Sequence, residues 1–127
     1  MKQILITTIM VIAISIPALA KELSCSTRLA NDTPDSALSG LAKISQAAAK
    51  KIALADIKAK SKKLLDGELE VEYGCLLYSF DIRVSGESGL EEIMVDAGTG
   101  KILSHQHESP KQESAEQVED AKAAKKP

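Results

Sequence analysis

Apolar and polar residues alternate between positions 65 and 84, a pattern typical of half-buried antiparallel strands. The alternation breaks at Tyr73-Gly74, which predicts a two-residue hairpin turn. With that turn, Glu72 pairs with Cys75 and Gly67 lies opposite Phe80, while the intervening glutamates are predicted to be solvated. The apolar residues of both strands then share one face: Leu65, Leu69, Val71, Leu76, Tyr78, Phe80, Ile82 and Val84.

Two further strands are predicted after the loop "SGESG". The segment "LEEIMVD" supplies Ile93 and Val95, which are expected to lie opposite Ile82 and Phe80. A four-residue loop then brings Ile102 opposite Val95. All four strands therefore present one apolar face to the same side, which predicts an antiparallel meander.

The apolar period changes to that of a helix in the stretch "ISQAAAKKIALAD". Ser45 is the predicted N-cap, and the helix is expected to end near Asp56. Ala49, Ile52 and Ala53 form one apolar stripe along it. The predicted fold class is α+β, with one main helix packed on one face of a four-stranded antiparallel meander sheet.

The two ends of the chain differ in composition from its middle. Lys2, the apolar stretch "ILITTIMVIAISI" and the tripeptide "ALA" predict a signal peptide cleaved after Ala20, and thus a periplasmic or secreted protein. An uncleaved membrane anchor, or a lipoprotein acylated at Cys25, is the weaker alternative. The predicted segments are a signal peptide at 1–20, a linker at 21–40, a folded domain at 41–104 and a disordered charged tail at 105–127.

Charge and composition exclude several classes of partner. The chain has 16 basic and 18 acidic side chains, and loss of Lys2 with the signal leaves a formal charge of −3. Nucleic acids and anionic membranes bind basic surfaces, so neither is an expected partner once the signal is cleaved. With two Tyr, one Phe and no Trp, the core must be small, and one domain is expected.

Cys25 and Cys75 are the only cysteines of the chain. In an oxidising compartment such a pair is expected to form a structural disulfide. By chain entropy, a bridge closing a loop of roughly fifty residues stabilises a domain by about 4 kcal/mol. The alternative is a thiol-redox enzyme, but the chain lacks the CxxC motif in which reactive thiols are commonly found.

The stretch "VDAGTGKILS" combines glycines, a threonine and a lysine. A phosphate-binding loop would need a glycine where Val95 stands, a Ser or Thr after Lys101, and a helix beginning there. The pattern offers none of the three. A tight hairpin turn explains the residues instead, because Asp96 and Thr99 can accept backbone hydrogen bonds and Gly100 permits positive φ.

The order of these segments resembles the PepSY domain family. The resemblance rests on a helix beginning "ISQAAAKKIA", the strands "ELEVEYG" and "LLYSFDI", and the hairpin "EIMVDAGTGKILS", with Tyr78 and the stretch from Val95 to Leu103 as signatures. It covers about residues 41–104, and the cysteine pair is an addition to the family pattern. It implies an exported, non-catalytic domain that restrains proteases or senses the extracytoplasmic environment, with no catalytic residues and no cofactor.

Candidate reactive or metal-binding groups are few. His105 and His107 lie on one side of an extended segment and, with Glu108, could hold a divalent metal. Three ligands are too few for a structural zinc site, so no metal is assigned, and a metal- or stress-responsive binding protein is the alternative function. Glu91 and Glu92 point to opposite faces of a strand and cannot form a catalytic pair. No nucleophile with a positioned base is identified, so an enzyme is not expected.

The sheet face away from the helix carries Leu77, Met94 and Leu103, with Met94 directly opposite Leu103. Two interpretations remain open at this point. Either the disulfide draws the N-terminal segment across these residues, with Leu29 as the cover, or they form an exposed strip that docks a protein partner such as a peptidase. Together with the missing catalytic groups, the resemblance to PepSY domains implies a protein-interaction module that modulates or inhibits extracytoplasmic proteases.

Overall fold

A computed structural model describes residues 23–124 of the chain, so the predicted signal peptide lies outside the described residues. Four strands in the order β1-β2-β3-β4 form one antiparallel meander sheet, and the fold class is α+β, as predicted. Instead of one main helix, the described residues contain three, of which the third is the longest. The elements in chain order are α1 (Asp35–Leu38), α2 (Gln46–Asp56), β1 (Lys62–Glu72), β2 (Cys75–Val84), β3 (Leu90–Asp96), β4 (Ile102–Glu108) and α3 (Pro110–Ala124).

The first hairpin has the register that the alternation predicts. Glu72 pairs with Cys75 and Gly67 with Phe80. Tyr73 and Gly74 both have positive φ, 50° and 74°, as a two-residue turn of the type that matches strand twist requires.

A β-bulge in β1 interrupts the predicted pattern at Leu65. The register shifts between Leu64 and Asp66, so that Leu64 packs against the core and Leu65 is 44% exposed. The prediction that Leu65 faces the core is therefore wrong. One extra residue in a strand reverses the faces of all residues before it, which alternation alone cannot reveal.

The second hairpin has a different register from the predicted one. Ile93 pairs with Phe80 and Val95 with Tyr78, a shift of two residues from the expected opposition to Ile82 and Phe80. A shift of two keeps every side chain on its predicted face, because side chains alternate with period two. Phe80, Ile82, Ile93 and Val95 accordingly all lie in the same buried cluster, as predicted.

Helix α2 covers that cluster. The Ser45 side chain accepts a hydrogen bond from Ala48 N at 3.1 Å, which confirms the predicted N-cap. Ala49 and Ala53 are fully buried, and small side chains at these positions allow the helix to approach the sheet closely. Gly67 makes room from the strand side, since a Cβ there would lie 2.7 Å from a ring carbon of Phe80.

The C-terminal residues contradict the predicted disordered tail. Strand β4 continues to Glu108, which pairs with Leu90 on β3, and α3 follows it. The low apolar content of this segment suggested disorder, but residues 105–108 extend β4 along β3, where the antiparallel ladder pairs their backbone groups. Val95 pairs with Ile102 as predicted, whereas a register shift at the next residue pairs Met94 with Ser104 instead of Leu103.

Candidate functional site

The hairpin between β3 and β4 is organised around the Asp96 side chain. Its Oδ1 accepts hydrogen bonds from Gly98 N at 2.7 Å and Thr99 N at 3.1 Å, as in an Asx turn. Gly100 N donates to Asp96 O at 2.9 Å, and Gly100 has φ 78°. These contacts show a tight turn, and the amides that a phosphate would need are used by Asp96.

Asp96 also binds the N-terminal segment, which the sequence does not suggest. Ser26 N and Ser26 Oγ donate to its two carboxylate oxygens at 2.6 and 2.5 Å. Burial alone would raise the pKa of Asp96, but the hydrogen bonds from Ser26, Gly98 and Thr99 outweigh it and lower the pKa below its ordinary value. Asp96 is therefore a charged structural clip between two segments 70 residues apart.

Cys25 and Cys75 form the expected disulfide, with their Cα atoms 5.9 Å apart. Such a bond is typical of an oxidising, extracytoplasmic environment. Next to it, Leu76 N donates to Thr27 O and Leu29 N donates to Gly74 O, both at 3.0 Å. The N-terminal segment, predicted as a linker, thus hydrogen-bonds along the start of β2.

The candidate partner-binding residues Leu77 and Met94 are buried within the chain, at 0% and 2% exposure. Leu23 and Cys25 pack over them, and Leu103 lies half-buried at the margin of the same cluster. The interpretation of an exposed apolar strip is therefore wrong at Leu77 and Met94. The cover interpretation is right, but its residue is Leu23, because Leu29 packs against the helix-covered cluster on the other side of the sheet.

Most of the remaining side chains on that sheet face are carboxylates, beside Ser79, Gln106 and Arg83. The register shows this: Asp81 pairs with Glu92, and Glu70 pairs with Leu77. In the described residues, no lysine or arginine forms an ion pair with these carboxylates. We call the group the acidic face, and its members are Asp66, Glu68, Glu70, Glu72, Asp81, Glu92 and Glu108.

Several carboxyl groups of the acidic face have raised pKa values. Burial raises the pKa of Glu70 to about 7, with further contributions from the charges of Glu72 and Glu68. Burial and the neighbouring Glu108 raise the pKa of Glu92 to about 8, and burial with several acidic neighbours raises that of Asp81 to about 6. Glu70, one of the glutamates predicted to be solvated, is half-buried, and so is Glu92, and this burial disfavours the charged form of both.

The opposite side of the sheet holds a second polar group, at the end where β3 begins. The Glu91 carboxylate lies between two imidazoles, with Oε1 2.8 Å from His107 Nδ1 and Oε2 3.0 Å from His105 Nε2. The other ring nitrogen of His105 lies 2.6 Å from Asp56 Oδ2, at the end of α2. Glu87, in the loop before β3, places a carboxylate oxygen within 4.8 Å of the Glu91 and His107 ligand atoms.

A pocket of about 280 Å³ adjoins this group. Its apolar wall comes from the chain after α2 and from the end of β2, and its polar wall from the carboxylates and His105. The residues that line it are Asp56, Ile57, Lys58, Ala59, Val84, Glu87, Glu91 and His105.

The sequence identified the two histidines of this group but not their carboxylate neighbours. Glu108 was the expected third ligand, yet it pairs with Leu90 and belongs to the acidic face on the other side of the sheet. Glu91 takes that place because it pairs directly with His107 across β3 and β4. The separation of Glu91 and Glu92 onto opposite faces was predicted, and the register confirms it through their partners His107 and Gln106.

Within residues 23–124, no helix combines the length and apolar character needed to cross a membrane. No protein-family model, curated protein or solved structure matches the chain.

Proposed function

We propose that this chain is an exported, non-catalytic protein-interaction module that binds an extracytoplasmic peptidase and restrains it. The proposal includes cleavage after Ala20 and release into the periplasm or the medium. The disulfide between Cys25 and Cys75 supports export, since such bonds persist in oxidising compartments. We further propose that residues 41–104 form a PepSY-like domain, a proposal that rests on the order of the helix, strands and hairpin in the sequence.

The acidic face is the observation that carries this proposal. Its carboxylates lie on one sheet surface without a lysine or arginine ion pair among the described residues, and burial with mutual repulsion raises the pKa of Glu70 and Glu92. Near neutral pH the ionised forms of Glu70 and Glu92 are therefore unfavourable in the free protein. A partner that presents lysine or arginine side chains would stabilise the ionised form, so a basic protein surface fits this face.

The contacts of the buried Asp96 support a structural role for the motif hairpin in this proposal. All the Asp96 contacts stabilise the turn or attach Ser26, and Thr99 Oγ1 accepts from Lys101 N at 3.3 Å. The polar groups of the motif therefore serve the fold. In this proposal the motif positions the sheet, and the sheet surface recognises the partner.

The test is a peptidase assay with charge-neutralised variants. The purified chain is mixed in excess with extracytoplasmic peptidases of the host, and substrate cleavage is measured at low and at high salt. We expect slower cleavage, relieved by salt and by the double substitution Glu70→Gln/Glu92→Gln. The matched control, Asp32→Asn/Asp35→Asn, removes two exposed charges elsewhere and should leave inhibition unchanged.

The expected loss of inhibition in the double variant cannot be attributed to unfolding. Because the pKa values of Glu70 and Glu92 are raised in the folded protein, their ionised forms destabilise it, and neutral glutamines should increase stability at neutral pH. A variant that is more stable but no longer inhibits supports the proposal. Unchanged peptidase rates at high excess of the wild-type chain would refute it.

A further inference from the structure

The group around Glu91 suggests a function that is independent of the acidic face. We propose that Glu87, Glu91 and His107 form a binding site for a divalent transition-metal ion of the Zn²⁺ type. The three residues come from the loop before β3, from β3 and from β4, and their ligand atoms all lie within 4.8 Å of one another.

The backbone already positions two of the ligands. Glu91 and His107 are direct partners in the antiparallel β3–β4 ladder, and their side chains meet with 2.8 Å between Oε1 and Nδ1. An ion bound at about 2.0–2.1 Å to both atoms requires them to separate by roughly half an ångström, which a small side-chain rotation provides. Glu87 is exposed, and its backbone N donates to Val84 O at 3.2 Å, but among the described residues its carboxylate takes part in no hydrogen bond. The carboxylate can therefore complete the site without breaking a contact.

The ligand set favours a particular class of ion. One imidazole and two carboxylates suit Zn²⁺ or Cu²⁺, whereas Ca²⁺ and Mg²⁺ prefer sites made only of oxygen. Three protein ligands leave a fourth position for water or for a group donated by a partner. The adjoining pocket, lined in part by Glu87 and Glu91, gives such a group access to the ion.

His105 and Asp56 act as positioning residues in this site. His105 Nε2 lies 3.0 Å from Glu91 Oε2, and its Nδ1 lies 2.6 Å from Asp56 Oδ2, so the ring links the end of α2 to the central ligand. A ligand held by such a chain of hydrogen bonds has fewer orientations to lose when the ion binds. Removing the chain should weaken binding without abolishing it.

The test is calorimetric titration of ZnCl₂ into the chain, purified without a histidine tag and with the disulfide intact. We expect saturable binding of one ion per chain, lost in His107→Ala and in Glu87→Gln. His105→Ala should weaken binding about tenfold. Glu87→Gln is the safer variant, because an exposed loop side chain without a hydrogen bond is not needed for folding. MgCl₂ in the same cell should give no comparable heat.

Glu108→Gln is the matched control, since Glu108 follows His107 in sequence but lies on the opposite face of the sheet. Unchanged zinc affinity in this variant supports the assigned site. Loss of binding in Glu108→Gln would show that the ion recognises the linear His-x-His-Glu stretch instead, and would overturn the proposal. Binding that survives both His107→Ala and Glu87→Gln, or no saturable binding at millimolar zinc, would overturn it as well.

Discussion

Substitution of Asp96 by alanine should destabilise the fold more than any other single change in the β3–β4 hairpin. The side chain accepts four hydrogen bonds, two from Ser26 and one each from Gly98 and Thr99. Hydrogen bonds to a charged group contribute about 1.5–3 kcal/mol each. Asp96 is only 2% exposed, whereas its donors in Ser26 and Thr99 belong to exposed residues and Gly98 is half-exposed. Water can therefore replace part of each lost bond, and the cost is less than the sum of the four. We therefore expect Asp96→Ala to cost about 3–5 kcal/mol.

Two milder variants separate the contributions to this cost. Asp96→Asn replaces one oxygen by an amide nitrogen, which cannot accept the bond from Ser26 N, and should cost about 2 kcal/mol. Ser26→Ala removes only the hydroxyl bond at 2.5 Å and should cost about 1–2 kcal/mol. The expected order of destabilisation is thus Asp96→Ala, then Asp96→Asn, then Ser26→Ala.

The assay is urea unfolding of each variant with the disulfide intact, followed by circular dichroism. Because the folded pKa of Asp96 lies below its ordinary value of 3.8, its contribution is fully present above that pH and is lost as the pH falls through the folded pKa. The difference between wild type and Asp96→Asn should therefore shrink in acid. If Asp96→Ala costs less than about 1 kcal/mol at neutral pH, the description of this residue as a clip is refuted.

Three further predictions concern stability. Gly67→Ala should lower the free energy of unfolding in urea by about 1–3 kcal/mol, because the added Cβ would lie 2.7 Å from a Phe80 ring carbon. In the control Gly40→Ala the added Cβ meets no atom within 4 Å, and the free energy of unfolding should not change. Equal effects of the two substitutions would contradict this prediction. Reduction of the disulfide should lower the free energy of unfolding by about 4 kcal/mol, measured by urea unfolding with and without reductant. An unchanged midpoint of the urea transition would exclude a structural role for the bond. Because the pKa values of Glu70 and Glu92 are raised in the folded protein, the folded state binds protons more tightly than the unfolded chain. The free energy of unfolding should therefore fall by about 2 kcal/mol, after allowance for solvent screening, as the pH rises from about 5 to 8. The melting temperature should fall with it. A melting temperature that rises over this range would contradict the assignment.

Local features of the sequence were enough to predict the strands of the first hairpin and the helix above them. Alternation with period two fixes which side chains share a face, and Tyr73-Gly74 fixes the turn, so the pairing of Gly67 with Phe80 could be derived. Ser45 marks the start of α2 because its side chain bonds to the first turn of its own helix. Each of these depends on residues close together in the chain.

The second hairpin shows where that reasoning ends. Its pairing of Ile93 with Phe80 differs by two residues from the predicted one, and both alternatives place the same side chains in the core. Periodicity cannot distinguish them, because the choice depends on how a loop of several residues closes. The bulge at Leu65 escaped for a related reason, since an extra residue in a strand leaves no mark on the composition.

The α+β class, the faces of most strand residues, the disulfide pair and the turn at Asp96 could all be derived from the chain's residues alone. The folded chain was needed to show that Leu23 covers Met94, that Ser26 binds Asp96, and that Glu91 rather than Glu108 contacts the histidines. The first group follows from backbone periodicity and turn chemistry, which act over a few residues. The second joins residues far apart in the chain, whose meeting depends on the register of every strand between them.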